Sequence, residues 1–127
     1  MRYIDSEKLT LKHPFTFLIA GPSSAGKTEF AKRIILHASS MINPPPEEII
    51  WFYSLFQKWM SDFPHARFQH GLPDVDAYDG SRKRLLILDD LMHEMDEETS
   101  KLFTKYSHHR NVSILYLCQN LFHKGKH

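Results

Sequence analysis

The segment GPSSAGKT, Gly21 to Thr28, carries two glycines separated by four residues and followed by Lys and Thr. That spacing suits a loop wrapped around a pyrophosphate. Such a loop must turn tightly and aim successive backbone N–H groups inward, and Gly21 and Gly26 permit both the dihedrals and the close approach of a ligand. Pro22, Ser23, Ser24 and Ala25, between the two glycines, are nucleotide-binding candidates with them. A helix opening near Gly26 adds N-terminal donors and partial positive charge. Lys27 is then placed to reach the β- and γ-phosphates, and the Thr28 hydroxyl to ligate Mg²⁺. A random chain of this length matches the pattern about once in a few hundred tries. Here the match also follows a predicted strand and opens a predicted helix, which is the context the chemistry needs.

Two further polar positions fit the same site. LLILDD, Leu85 to Asp90, is an apolar run that ends in two carboxylates. A carboxylate at the C-terminal end of a buried strand can hold Mg²⁺ directly or through water, which suits Asp89. Asp90 is the candidate for polarising an attacking water, and Glu94 is a second candidate. Asp is one methylene shorter than the Glu many such enzymes use, and a displacement of ~1 Å costs about 100-fold in rate if nothing compensates. Alone, the pair reads equally well as an acidic turn closing a strand. Gln119 directly follows the apolar stretch Ser113 to Cys118. In an open parallel sheet ligands sit beyond the carboxyl ends of the strands, where Gln119 would orient water or sense the γ-phosphate.

These groups need strands and helices to bring them together. Phe15 to Ala20 is a continuous apolar run, predicting a strand buried on both faces. From Gly26 to Ser39 the apolar residues Phe30, Ala31, Ile34, Ile35 and Ala38 recur at helical spacing, and Pro44 to Pro46 close that region. Ile49 to Tyr53 predicts a strand, Gln57 to Phe63 a short helix ended by Pro64, and Arg67 to Arg84 mostly loop with one short strand near Phe68. Leu85 to Leu88 predicts a strand, Asp96 to Ser107 a helix with acids first and lysines later, and Val112 to Cys118 the last strand. Apolar strands alternating with helices argue for an α/β fold with a mostly parallel sheet. The 62 positions from Lys27 to Asp89 leave room for the Ile49 strand between the two motifs.

Composition sets the outer limits. The chain has 127 residues, 42% hydrophobic and 24% charged, which is one globular domain's worth. Its formal net charge of +1 is too small to announce a nucleic-acid or membrane partner globally. That sum hides an asymmetry: residues 101–127 carry five bases and no acid, while residues 74–98 carry nine acids and three bases. The basic end suits DNA phosphates, and equally a solvated face or a subunit contact. The single cysteine, Cys118, forms no internal disulfide and fits a reducing compartment, so secretion is not expected. Adjacent His108 and His109 point apart on a helix and have no partner at ligand spacing, so they do not predict zinc. Trp51, Phe52 and Tyr53 read as strand core.

SHHRNVSILYLCQNLF, Ser107 to Phe122, taken with LLILDDLM and GPSSAGKT, resembles the viral genome-packaging ATPases of the FtsK–HerA superfamily. More narrowly it is similar to the poxvirus-type enzymes and their relatives in polinton transposons and adintovirus-like elements. The resemblance covers about Pro14 to Lys124. It implies a P-loop NTPase three-layer sandwich in which a separate strand sits between the phosphate-loop strand and the Asp89 strand. It also implies a homo-oligomeric ring that hydrolyses ATP with Mg²⁺ and drives double-stranded DNA into a preformed capsid. Capsid protein would be a further partner and no membrane would be involved. The place of action would be a virion-assembly site or the host nucleus or cytoplasm. On this resemblance Gly21, Gly26, Lys27 and Thr28 bind ATP and Mg²⁺, Asp89 ligates the metal, Asp90 is the catalytic carboxylate and Gln119 the sensor. Arg110 is similar in position to an arginine offered to the neighbouring subunit's γ-phosphate, and it also reads as a helix C-terminal cation. The family core continues past the Gln119 strand, so residues 1–127 are expected to form one domain lacking its C-terminal strand or strands.

Two other readings share the phosphate loop. A small-molecule phosphotransferase would need a cationic lid, for which Arg82, Lys83 and Arg84 are the available cluster. A non-catalytic remnant of a viral ATPase would bind nucleotide without turning it over.

Overall fold

Leu85, Leu86, Ile87 and Leu88 leave no polar position between them, and a strand of that kind needs cover on both faces. The computed structural model, which describes residues 10–21 and 24–119 apart from the side chains of 24, 25 and 92, provides that cover. In chain order the elements are β1 (Leu11–Lys12), β2 (Thr16–Ala20), α1 (Ser24–Leu36), α2 (Ala38–Met41), β3 (Ile42–Asn43), β4 (Glu48–Tyr53), β5 (Arg67–His70), β6 (Arg84–Asp89), α3 (Glu97–His109) and β7 (Val112–Cys118). Short 3₁₀ turns lie at Lys58–Asp62, Val75–Ala77 and Met92–Glu94.

Five strands make one all-parallel sheet in the order β2-β7-β6-β4-β5. Alternation along the central strands divides the core in two. Trp51, Leu85, Ile87, Leu115 and Leu117 pack with Ala31, Ile34 and Ile35 of α1 and with α2. Ile50, Phe52, Leu86, Leu88, Ile114 and Tyr116 pack with Phe103 of α3 and with Leu91 and Met95. The class is therefore α/β, a parallel sheet flanked by helices. α3 begins where Asp96 Oδ1 accepts the Thr99 N–H at 2.7 Å, with Glu97 and Glu98 in its first turn and two histidines in its last, the polarity that the helix dipole favours. No helix among the described residues is long and apolar enough to cross a membrane.

Several expectations change. β2 is not buried on both faces. It is one of the two outer strands among the described residues, and Thr16, Leu18 and Ala20 are exposed while Phe17 and Ile19 face α1, because topology rather than composition sets how much of a strand is covered. The first helix starts at Ser24 and breaks at His37, where α2 takes over and leads into β3, which pairs in parallel with β1. The Gln57 to Phe63 helix is a 3₁₀ turn. The Ile49 strand, β4, lies beyond β6, so the strand separating β2, which leads into Gly21, from the Asp89 strand is β7.

Candidate functional site

Because every strand of the main sheet runs the same way, all five C-terminal ends open on one edge. Register fixes what stands there: Ala20 pairs with Cys118, Leu117 with Asp89, and Asp89 with Tyr53. The Gly21 N–H donates to the Cys118 carbonyl at 3.2 Å, carrying β2 straight into the glycine loop. Lys27, in the second turn of α1, folds back so that its Nζ donates to the Gly21 carbonyl at 2.7 Å. Pro22 and Ser23 lie outside the described residues. Ser24 and Ala25 belong to α1, and Thr28 is half-buried on it.

Neither Gly21 nor Gly26 has a positive φ, so neither of them uses the left-handed freedom that glycine allows. A Cβ at either position would meet nothing within 4 Å. For Gly26, inside α1, glycine costs about 1 kcal/mol relative to alanine and gains no internal packing in return. Open space over a helix N-terminal turn is where an anion can approach backbone N–H groups.

Asp89 shares the α1-facing side of the sheet with Leu85 and Ile87. Burial pushes its carboxyl above the ordinary carboxylate range, Asp90 adds to that, and a hydrogen bond from Trp51 together with the nearby Lys27 charge opposes it. The indole Nε1 of Trp51 donates to Asp89 Oδ2 at 3.2 Å. Asp90 follows with φ 59°, a left-handed conformation that Asp tolerates better than most residues, and its N–H donates to the Leu117 carbonyl at 2.8 Å. Its side chain is exposed at the strand ends. Glu94 stands further on in the 3₁₀ turn, 3.7 Å from His93 Nε2. Gln119 is exposed immediately after β7, beside the Gly21 to Cys118 bond. Burial raises the Cys118 thiol above its usual range, against the pull of Lys27 and with a push from Asp90.

The sequence candidates thus divide. Lys27, Asp89, Asp90 and Gln119 come to one edge. Arg110 does not join them. It stands before β7 begins, at the opposite edge, about 20 Å away along a seven-residue strand. Its N–H groups cap α3 and meet the Tyr78 carbonyl at 3.3 Å, with Asp76 Oδ1 also at 3.3 Å, as a helix C-terminal cation would. Arg82, Lys83 and Arg84 also lie at that far edge, paired with Glu48 and Glu47. Sequence reasoning missed Trp51 and Cys118 as site residues. A buried Trp N–H that must find a partner was the available signal for the first.

Comparison with protein-family models, with curated proteins and with solved structures finds no match to this chain.

Proposed function

We propose that the chain is a nucleoside triphosphatase that binds ATP with Mg²⁺ at the C-terminal edge of its sheet. The observation that carries the reading is the convergence of Lys27, Asp89 and Asp90, from a loop-helix junction and a strand end that are far apart in sequence, beside Gly21 and Gly26, where a Cβ would meet nothing within 4 Å. The strand order, with β7 between β2 and β6, supports a P-loop NTPase sandwich of the kind ring ATPases use.

The donor set suits the cation. Among the described residues no three His, Cys, Asp or Glu gather around a point, so Mg²⁺ would be held by Asp89, the Thr28 hydroxyl and the phosphates of the nucleotide. Asp89 Oδ2 is taken by Trp51, and Oδ1 accepts no bond from the described residues. Bound there, the cation supplies charge neutralisation across the β- and γ-phosphates. Lys27 exchanges the Gly21 carbonyl for phosphate oxygens. Asp90 orients the attacking water, and Gln119 reports the γ-phosphate from the end of β7.

The sequence resemblance extends this to a homo-oligomeric motor that drives double-stranded DNA into a capsid. In that assembly Arg110 acts only across a subunit boundary, since in its own chain it is a strand's length from the site. The far-edge position of Arg82, Lys83 and Arg84 weighs against a phosphotransferase that uses them as a lid. ATP turnover with and without double-stranded DNA, across protein concentration, tests the reading: hydrolysis that rises faster than linearly with concentration and is stimulated by DNA is expected. A Lys27→Ala chain that hydrolysed ATP at the wild-type rate would overturn it.

A further inference from the structure

Trp51 is fully buried, yet its one polar atom is spent on Asp89, at the edge proposed to bind nucleotide. The ring is held from behind. Trp59 meets it edge-on with centroids 5.2 Å apart, and Phe68 lies at 5.8 Å. The Lys32 ammonium, on α1, sits 4.6 Å from the centre of the Trp59 ring. α1 therefore touches Asp89's surroundings twice, through the Lys27 charge at its start and through the Lys32–Trp59–Trp51 stack further along.

We propose that Trp51 is a positioning residue for the cation ligand: its indole N–H ties down Asp89 Oδ2 and leaves Oδ1 as the oxygen presented to Mg²⁺. The inference rests on the reading of the edge as a Mg²⁺-nucleotide site. A carboxylate free to rotate would share its two oxygens between water, Lys27 and cation, whereas one fixed by a rigid donor offers a single geometry. A bare aromatic core would be satisfied by Phe at position 51. The N–H is what Phe lacks.

The test measures binding of a methylanthraniloyl ATP by fluorescence anisotropy, once in EDTA and once in Mg²⁺. Trp51→Phe is expected to keep the EDTA affinity within about twofold and to lose about 10-fold of the enhancement that Mg²⁺ gives, the size usual for an outer-shell partner of a metal ligand. Asp89→Asn should lose the same enhancement, and the double variant should bind no worse than Asp89→Asn alone, because both changes remove one pathway. Should Trp51→Phe fail to fold, benzothienylalanine at position 51 keeps the bicyclic ring and removes only the donor, with the same loss expected. A Mg²⁺ enhancement left intact by removal of the donor, no enhancement to lose in the wild type, or additive losses in the double variant would each overturn the positioning role. Failure of the wild-type chain to bind the analogue in either condition overturns instead the nucleotide reading on which it rests.

Discussion

The two edges of the sheet both carry polar side chains at strand ends, and they treat them in opposite ways. At the N-terminal edge the groups around His13 form a closed series, although Arg84 Nη1 at the same edge is buried without a hydrogen-bond partner among the described residues. The Phe15 N–H donates to Ser113 Oγ at 3.0 Å, and Ser113 Oγ lies 2.6 Å from His13 Nδ1. His13 Nε2 lies 3.0 Å from Asn111 Oδ1, and Asn111 Nδ2 donates to the Gly80 carbonyl at 3.4 Å. Because the Asn111 oxygen only accepts, His13 must carry its proton on Nε2, which leaves Nδ1 to accept from the serine hydroxyl. A serine, a histidine and an asparagine in line look like a nucleophile and its base, but Ser113 is fully buried and its hydroxyl bonds in both directions. At the C-terminal edge Asp89 Oδ1 accepts no bond from the described residues, Asp90 is exposed, and Lys27 bonds the Gly21 carbonyl. An open carboxylate acceptor beside a lysine, more than the presence of polar residues, distinguishes the edge proposed to bind nucleotide.

The largest expected effect separates the edges outright. Lys27→Ala should reduce ATP hydrolysis by about 100-fold or more, since a charge aimed at developing phosphate charge is worth that much. It should leave thermal unfolding nearly unchanged. His13→Ala should do the reverse, destabilising by about 1–3 kcal/mol through the donors and acceptors it orphans, with nucleotide affinity intact. A steady-state ATPase assay beside a thermal melt reads both, and a His13 variant that lost ATP binding while folded would erase the contrast between the edges.

Asp89→Asn comes next, because its two consequences have opposite signs. It should abolish Mg²⁺-dependent turnover and raise the melting temperature. Burial raises the folded pKa of Asp89 above its ordinary 3.8, so the associated stability is whole below that value and is lost as pH rises through the folded one. At neutral pH the ionised, desolvated carboxylate is a cost, and Asn removes it while still accepting from Trp51. Each 1 kcal/mol gained appears as about 4 °C in a domain of this size. His13 runs the other way. Burial lowers its pKa below 6.5, so its contribution is present above 6.5 and is lost as pH falls through the folded value. His13→Gln should flatten the acid side of the stability profile, and Asp89→Asn should remove the decline that follows Asp89's ionisation. A melt series across pH with no change of slope in either variant would dismiss both assignments.

The same contrast explains what could be read from residue order. β4, β6 and β7 were legible because a strand covered on both faces must be apolar throughout, and their ends differ from the expected ones by no more than a residue. α3 was legible through its charged ends, with Asp96 standing at the cap. The paired β1 and β3 were not, since two-residue strands carry no period. Neither was the exposure of β2, at which Leu18 is 38% accessible, because only the pairing order decides which strand is outermost. Lys27, Asp89, Asp90 and Gln119 were legible as a set by their positions after apolar strands or in the glycine pattern. Trp51 was not, because its partnership depends on the register of β4 against β6, a relation between residues 38 positions apart.

The smallest expected effect compares like with like. The non-glycine residues with positive φ among those described are Asp90, at 59°, and Asn111, at 65°, one at each edge. Left-handed backbone costs an ordinary residue about 1 kcal/mol, less for Asp and Asn, and glycine nothing. If conformation were all that mattered, Asp90→Gly and Asn111→Gly would act alike. They should not. Asn111→Gly also deletes the acceptor of His13 and the donor to Gly80, so it should destabilise by about 1–2 kcal/mol despite the relief. Asp90→Gly removes an exposed carboxylate whose backbone N–H still reaches Leu117, so its stability should stay within about 0.5 kcal/mol of the parent, as surface changes do. Denaturant melts of the two variants measure the difference directly. Equal changes would mean that the side chain at position 111 contributes no more to its edge than the one at position 90, and that the contrast between the closed His13 series and the open carboxylate edge does not hold.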